Sequence, residues 1–123
     1  MEFFEFIEQK NLDEDKLKAI LVVDALPGFC DSVYEVISNE GDVAEINCVW
    51  GVFSVKRDVI YHGVRFSLLN CPHAFSWTIT FDKQRGRVII HCTIDKQEQD
   101  EDFLESIKQF TADWKSGLSR VFS

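Results

Sequence analysis

The chain has 123 residues, is 46% hydrophobic and 13% aromatic, and carries 13 basic against 21 acidic side chains for a net charge of −8. Eleven Phe and three Trp supply the core of one domain spanning 1–123, which excludes wholesale disorder. The longest unbroken apolar run, Ala19 to Val23, is far short of the roughly 18–20 residues of a membrane span, and the amino terminus lacks the basic and apolar regions of a secretory signal, so a cytoplasmic protein is expected.

In chain order, Phe3, Phe4, Phe6 and Ile7 among Glu2, Glu5 and Glu8 suit a helix with a broad apolar face, a short strand being the alternative. The run from Asn11 to Asp15 offers an N-cap with acids in the first turn, and Leu17, Ile20, Leu21 and Ala25 continue at helical spacing until Pro27-Gly28. Cys30, Val33, Tyr34 and Ile37 fall on a second helical stripe, ended by residues 38–42. From Val43 the period changes from 3.6 to 2. Ala44, Ile46, Cys48 and Trp50 alternate, then Phe53, Val55, Arg57 and Val59, with a hairpin loop at Tyr61-His62-Gly63 leading to Val64, Phe66 and Leu68.

Cys71-Pro72-His73 interrupts the sheet, because Pro cannot donate to a central ladder. Trp77, Ile79 and Phe81 form a hairpin with Val88, Ile90, Cys92 and Ile94 across the loop 82–86. Asp100, Glu101 and Asp102 open an amphipathic helix carrying Phe103, Ile107, Phe110, Trp114, Leu118 and Val121 on one face. The expectation is an α+β fold: N-terminal helices, a central antiparallel meander of about four to five strands, and a long C-terminal helix packed on one face.

The chain has no GxSxG elbow, no phosphate-binding loop and no CxxC pair. Cys30, Cys48, Cys71 and Cys92 read as reduced, mostly core thiols. A zinc site from Cys71, His73, His91 and Cys92 has suitable ligand types, but consecutive strand residues His91 and Cys92 leave opposite faces. Cys71 with His91 is the candidate nucleophile and base, on spacing that any short chain could supply. Lys56, Arg57, Arg65, Lys83, Arg85 and Arg87, near Trp50 and Phe53, are the basic residues that could meet single-stranded RNA, but alternation splits Lys56 and Arg57 between two faces. The expectation is therefore no enzyme, no metal, no cofactor and no nucleic acid.

Charge is segregated: residues 1–48 carry a net of −9, residues 49–95 a net of +3 and residues 96–123 a net of −2. Such an acidic first third steers a basic partner in and turns nucleic acid away. The acids at 13–15 and 100–102 also suit helix starts, where they favour the macrodipole. With this charge layout, the stretch Trp50 to Phe81 and the closing segment Phe103 to Trp114, the chain resembles the immunity proteins of bacterial polymorphic toxins and contact-dependent growth inhibition systems. That resemblance implies binding of a cognate toxin domain, commonly a basic nuclease, so that its active site is blocked.

The partner-binding residues expected from the charge layout are Asp13, Glu14, Asp15, Glu40, Asp42 and Glu45, with Trp50 as an aromatic anchor, in a monomer or weak dimer. In size, acidity and order the chain is also similar to small secretion chaperones. A third reading is a small-ligand or enzymatic pocket between the sheet and the closing helix, lined by Trp77, Phe81 and Trp114.

Overall fold

The structure, a computed structural model, describes residues 1–95 and 100–122. Its elements run β1 (Glu2–Glu8), α1 (Glu14–Ile20), a 3-10 turn (Val23–Ala25), α2 (Leu26–Phe29), β2 (Val33–Asn39), β3 (Val43–Cys48), β4 (Gly51–Ile60), β5 (Gly63–Leu68), β6 (Ser76–Asp82), β7 (Arg87–Thr93) and α3 (Glu101–Phe122). The fold is α+β: one antiparallel sheet in the order β1-β7-β6-β5-β4-β3-β2, with the helices on its inner face. No helix among the described residues is long and apolar enough to cross a membrane.

Two expectations are corrected. Residues 3–7 form β1, not a helix, and lie in unbroken register against β7 from Glu2↔Thr93 to Glu8↔Arg87. Residues 33–39 form β2, and the physical reason for the misreading is in its register. Breaks between Val33 and Glu35 and between Val36 and Ser38 bring Val33 and Val36 to the same face, three residues apart as on a helix. Tyr34 and Ile37 are the displaced residues and are exposed. These two strands raise the sheet from the expected four to five strands to seven.

The N-terminal helices are also shorter than the periodicity suggests. Within 11–15, Asp13 is the N-cap, its Oδ1 accepting the Asp15 N–H at 3.0 Å, and α1 ends at Ile20. Pro27 starts α2 instead of breaking a helix, since its missing N–H has no partner to lose there. Arg57 points inward from β4 and donates to the carbonyls of Leu21 (Nε, 2.7 Å) and Lys18 (Nη2, 2.8 Å). A guanidinium thus caps the negative end of α1. At its other end, Glu14 lies 2.8 Å from His62 Nδ1 in the β4–β5 turn and 3.2 Å from Lys18 Nζ.

The core lies between α3 and the sheet. Val64, Phe66 and Leu68 of β5, Trp77, Ile79 and Phe81 of β6, and Val88, Ile90 and Cys92 of β7 alternate inward to meet Ile107, Phe110, Trp114 and Leu118 of α3. Val121 ends the helical stripe half-exposed. Asp100 starts α3 by accepting the Asp102 N–H at 2.9 Å. At the far end Gln9 Nε2 donates to the Phe122 carbonyl at 2.8 Å. Trp77 and Trp114 keep buried indole N–H groups without hydrogen-bond partners among the described residues, so apolar contact outweighs a cost of roughly 1–3 kcal/mol for each.

Gly117 lets α2 approach α3 closely: a Cβ there lies 1.6 Å from the Phe29 carbonyl oxygen, a backbone atom that cannot turn aside. Gly117→Ala is therefore expected to lower stability by about 3 kcal/mol, although alanine is the better helix former by about 1 kcal/mol. Denaturant midpoints measure this, and an equal or raised midpoint contradicts the packing. A second expectation follows from Glu14, whose carboxyl is held below the usual range by hydrogen bonding to His62, with Lys18 adding to it. A depressed folded pKa contributes stability above the ordinary glutamate pKa and loses it as pH falls through the folded value. Glu14→Gln should thus be less stable than the parent near pH 6, with the gap narrowing as pH falls below the ordinary glutamate range; a gap that does not narrow in acid contradicts this origin.

Candidate functional site

An apolar recess of about 240 Å³ lies where α3 begins. Its walls come from five places in the chain: Trp50 in the β3–β4 turn, Phe53 on β4, Leu68 at the end of β5, Cys71 to Phe75 in the β5–β6 loop, and Phe103 in the first turn of α3. Gly51 at φ +114° makes the tight turn that brings Trp50 over the inner face. Trp50 then packs against Phe75 (ring centroids 4.8 Å), Phe110 (5.2 Å) and Phe103 (6.0 Å). Its Nε1–H donates to Ser106 Oγ at 2.8 Å, which fixes the indole plane against α3.

The opposite wall is the loop that Pro72 takes out of the sheet. Ala74 adopts φ +50° and donates its N–H to the Cys71 carbonyl at 3.1 Å, while the His73 carbonyl accepts the Asp95 N–H at 3.0 Å. This presents the His73 ring to Phe103 at 4.6 Å. His73 Nδ1 is buried and has no hydrogen-bond partner among the described residues. In a wall otherwise made of aromatic, aliphatic and thiol groups, it is a polar atom ready for a partner. Other hollows, of about 420 Å³ by Tyr61, His62 and Lys83 and about 460 Å³ at the start of α1, are larger, but charged side chains line them.

The expected site residues fall in three places. Asp13, Glu14 and Asp15 lie at the N-terminal end of α1, where Asp13 is the cap and Glu14 is engaged by His62 and Lys18. Glu40 and Asp42 lie in the β2–β3 turn, and Glu45 is exposed on β3. Arg57 accounts for the separation: it holds the C-terminal end of α1 and donates its backbone N–H to the Asp42 carbonyl at 2.8 Å. The two acidic groups therefore flank opposite ends of a seven-residue helix. Trp50 joins neither group and forms part of the recess.

The pocket expected from Trp77, Phe81 and Trp114 is corrected in its walls. Trp77 and Trp114 are 1% and 0% exposed and stack into the core with Phe66, so the hollow sits at the start of α3 and not beneath its middle. Leu68, Pro72 and Phe103 are legible as strand, loop and helix residues, but no local signal joins the first two to a helix residue more than thirty positions further on. The sheet register does that.

The cysteine and histidine candidates separate as strand alternation requires. His91 lies on the outer face, stacked on Phe4 at 4.3 Å with Nε2 2.9 Å from Glu2 Oε1, whereas Cys92 points inward and accepts from Thr111 Oγ1 at 3.3 Å. Cys71 lines the recess, so the structure does not bring it to His91. Burial pushes the Cys92 thiol up to about 12 and raises those of Cys30 and Cys48, which makes these three poor nucleophiles at neutral pH. Among the described residues no three His, Cys, Asp or Glu side chains gather in a metal-holding group.

No family model and no curated protein matches the chain. Solved structures do. An uncharacterised protein from Bacillus thuringiensis superposes with a TM-score of 0.69 at 14% identity, over 99% of this chain and 98% of that one. A START superfamily protein from Mycobacterium smegmatis superposes with a TM-score of 0.68 at 8% identity, over 98% of this chain and 96% of that one. At these identities the likeness is one of fold alone, over nearly the whole of each chain.

Proposed function

We propose that the protein binds a small, flat, largely apolar ligand in the recess at the start of α3, with one polar atom of the ligand meeting His73. The observation that carries the reading is the recess itself: the aromatic rings of Trp50, Phe53, Phe75 and Phe103 line one hollow with His73, whose buried Nδ1 has no hydrogen-bond partner among the described residues. A few convergent polar groups in an apolar hollow are the usual composition of a small-molecule site. The fold-level likeness to a START superfamily protein fits this reading better than occlusion of a basic toxin by an acidic face. The separation of the acids and the local engagement of Asp13 and Glu14 favour it further.

Size limits the ligand. Sites for drug-sized molecules span roughly 300–1,000 Å³, so about 240 Å³ suits one or two rings. About ten heavy atoms at roughly 0.7 kcal/mol each correspond to a Kd near 10 μM. Phenol and 2-naphthol are suitable probes. At a hundredfold excess over Kd, binding adds about 2.7 kcal/mol of stability, or roughly 10 °C in Tm for a domain of this size. The expected result is such a rise with 2-naphthol and its loss in Cys71→Phe, which fills the hollow from a half-buried loop position. Equal rises in both proteins, or none at millimolar probe, contradict the assignment.

A further inference from the structure

The two edges of the sheet are built differently. β2 is interrupted by two register breaks, a device that blunts an edge against further pairing. β1 runs seven residues in unbroken register and contains neither Pro, Lys nor a bulge. Its backbone polarity follows from the printed ends of the ladder. Met1 exchanges both bonds with Ile94 (3.0 and 3.1 Å), and Gln9 N–H donates to the Gly86 carbonyl at 2.8 Å. In an antiparallel pair, alternate residues bond the neighbour, so the odd positions face β7 and the N–H and C=O groups of Glu2, Phe4, Phe6 and Glu8 face the free edge.

Beside that edge lies a groove of about 310 Å³ between β1 and the C-terminal half of α3, lined by Phe6, Ile7, Glu8, Lys115, Ser119 and Phe122. An open strand edge beside a helix is the geometry in which domains take up a peptide as an added strand. The side chains specify what kind. Phe4 and Phe6 are 51% and 40% exposed on the outer face, offering cross-strand partners to aliphatic residues. Glu2 and Glu8 flank them on the same face. Glu2 lies by His91, and Arg87, opposite Glu8 in register, sits 4.2 Å over the Phe6 ring, so that among the described residues the Glu8 carboxylate has no ion pair. On the inner side Glu5 and Lys115 neutralise each other at 3.1 Å.

A second copy is disfavoured in the fully overlapping antiparallel register, which sets Glu2 against Glu8 and Glu5 against Glu5. We propose that the free edge of β1 and its groove with α3 accept an extended peptide by strand addition, with aliphatic residues facing Phe4 and Phe6 and a basic residue facing Glu8. This surface is independent of the recess.

The test uses the full chain and the peptide acetyl-Lys-Thr-Val-Thr-Val-Thr-Lys-amide, with amide hydrogen exchange followed residue by residue. The expected result is protection of the Phe4, Phe6 and Glu8 amides by the peptide, while the Phe3, Glu5 and Ile7 amides, already in the β7 ladder, change little. Glu8→Pro removes one edge-facing N–H without touching the ladder. It should weaken the peptide at least tenfold at unchanged Tm, and Glu8→Lys, which leaves the backbone intact, should weaken it most at low salt. Unaltered exchange at millimolar peptide, or equal affinity for Glu8→Lys, overturns the proposal. Protection that rises with protein concentration in the absence of peptide assigns the edge to a second copy and overturns it equally.

Discussion

The contact between α3 and the inner face of the sheet carries the rest of the structure. Trp114 and Phe110 of the helix meet Phe66 and Trp77 of the strands and Phe75 of the β5–β6 loop in a continuous aromatic cluster, with ring centroids 4.9 to 6.4 Å apart for the pairs that reach across from the helix. Each large side chain buried here contributes on the order of 1.5–3 kcal/mol, enough for the cluster to keep two indole N–H groups unpaired. The contact also fixes α2, because Gly117 lets its last turn lie directly on α3.

Because the middle of the helix is filled, the recess and the groove that border it lie towards its two ends. At the start, Trp50 bridges the β3–β4 turn to Ser106, and Pro72 takes the next loop out of the sheet, so that the aromatic cluster ends in a recess instead of a closed core. Towards the end, α3 runs beside the unpaired edge of β1 with Lys115 tied to Glu5 and Phe122 tied to Gln9, and a groove is left. The same packing thus separates a small-molecule surface from a chain-binding surface.

Much of this was legible in the sequence, and the rest was not for identifiable reasons. The face of α3, the β6–β7 hairpin and the turn at Tyr61-His62 follow from periods of 3.6 and 2 and from turn chemistry, and the structure has each of them. β1 was ambiguous because five residues of Phe, Glu and Ile satisfy either period. β2 reads as helical because Val33, Tyr34 and Ile37 have a helix's spacing, whereas two register breaks in the strand put Val33 and Val36 on one face and leave Tyr34 and Ile37 exposed. The walls of the recess were invisible because Trp50, Cys71 and Phe103 meet only through sheet register and helix placement. Charge layout did locate the acids, but it could not show that Arg57 would set them at opposite ends of α1.

The three tryptophans provide the most direct test of the central claim, that the core beneath α3 is filled and that a ligand enters only at its start. In protein labelled with 5-fluorotryptophan, Trp50, Trp77 and Trp114 each give a fluorine resonance that reports its own surroundings. On titration with 2-naphthol the account predicts a progressive shift of the Trp50 resonance, with those of Trp77 and Trp114 unmoved. Movement of the two core resonances with Trp50 unchanged, or no movement of any at millimolar probe, contradicts it.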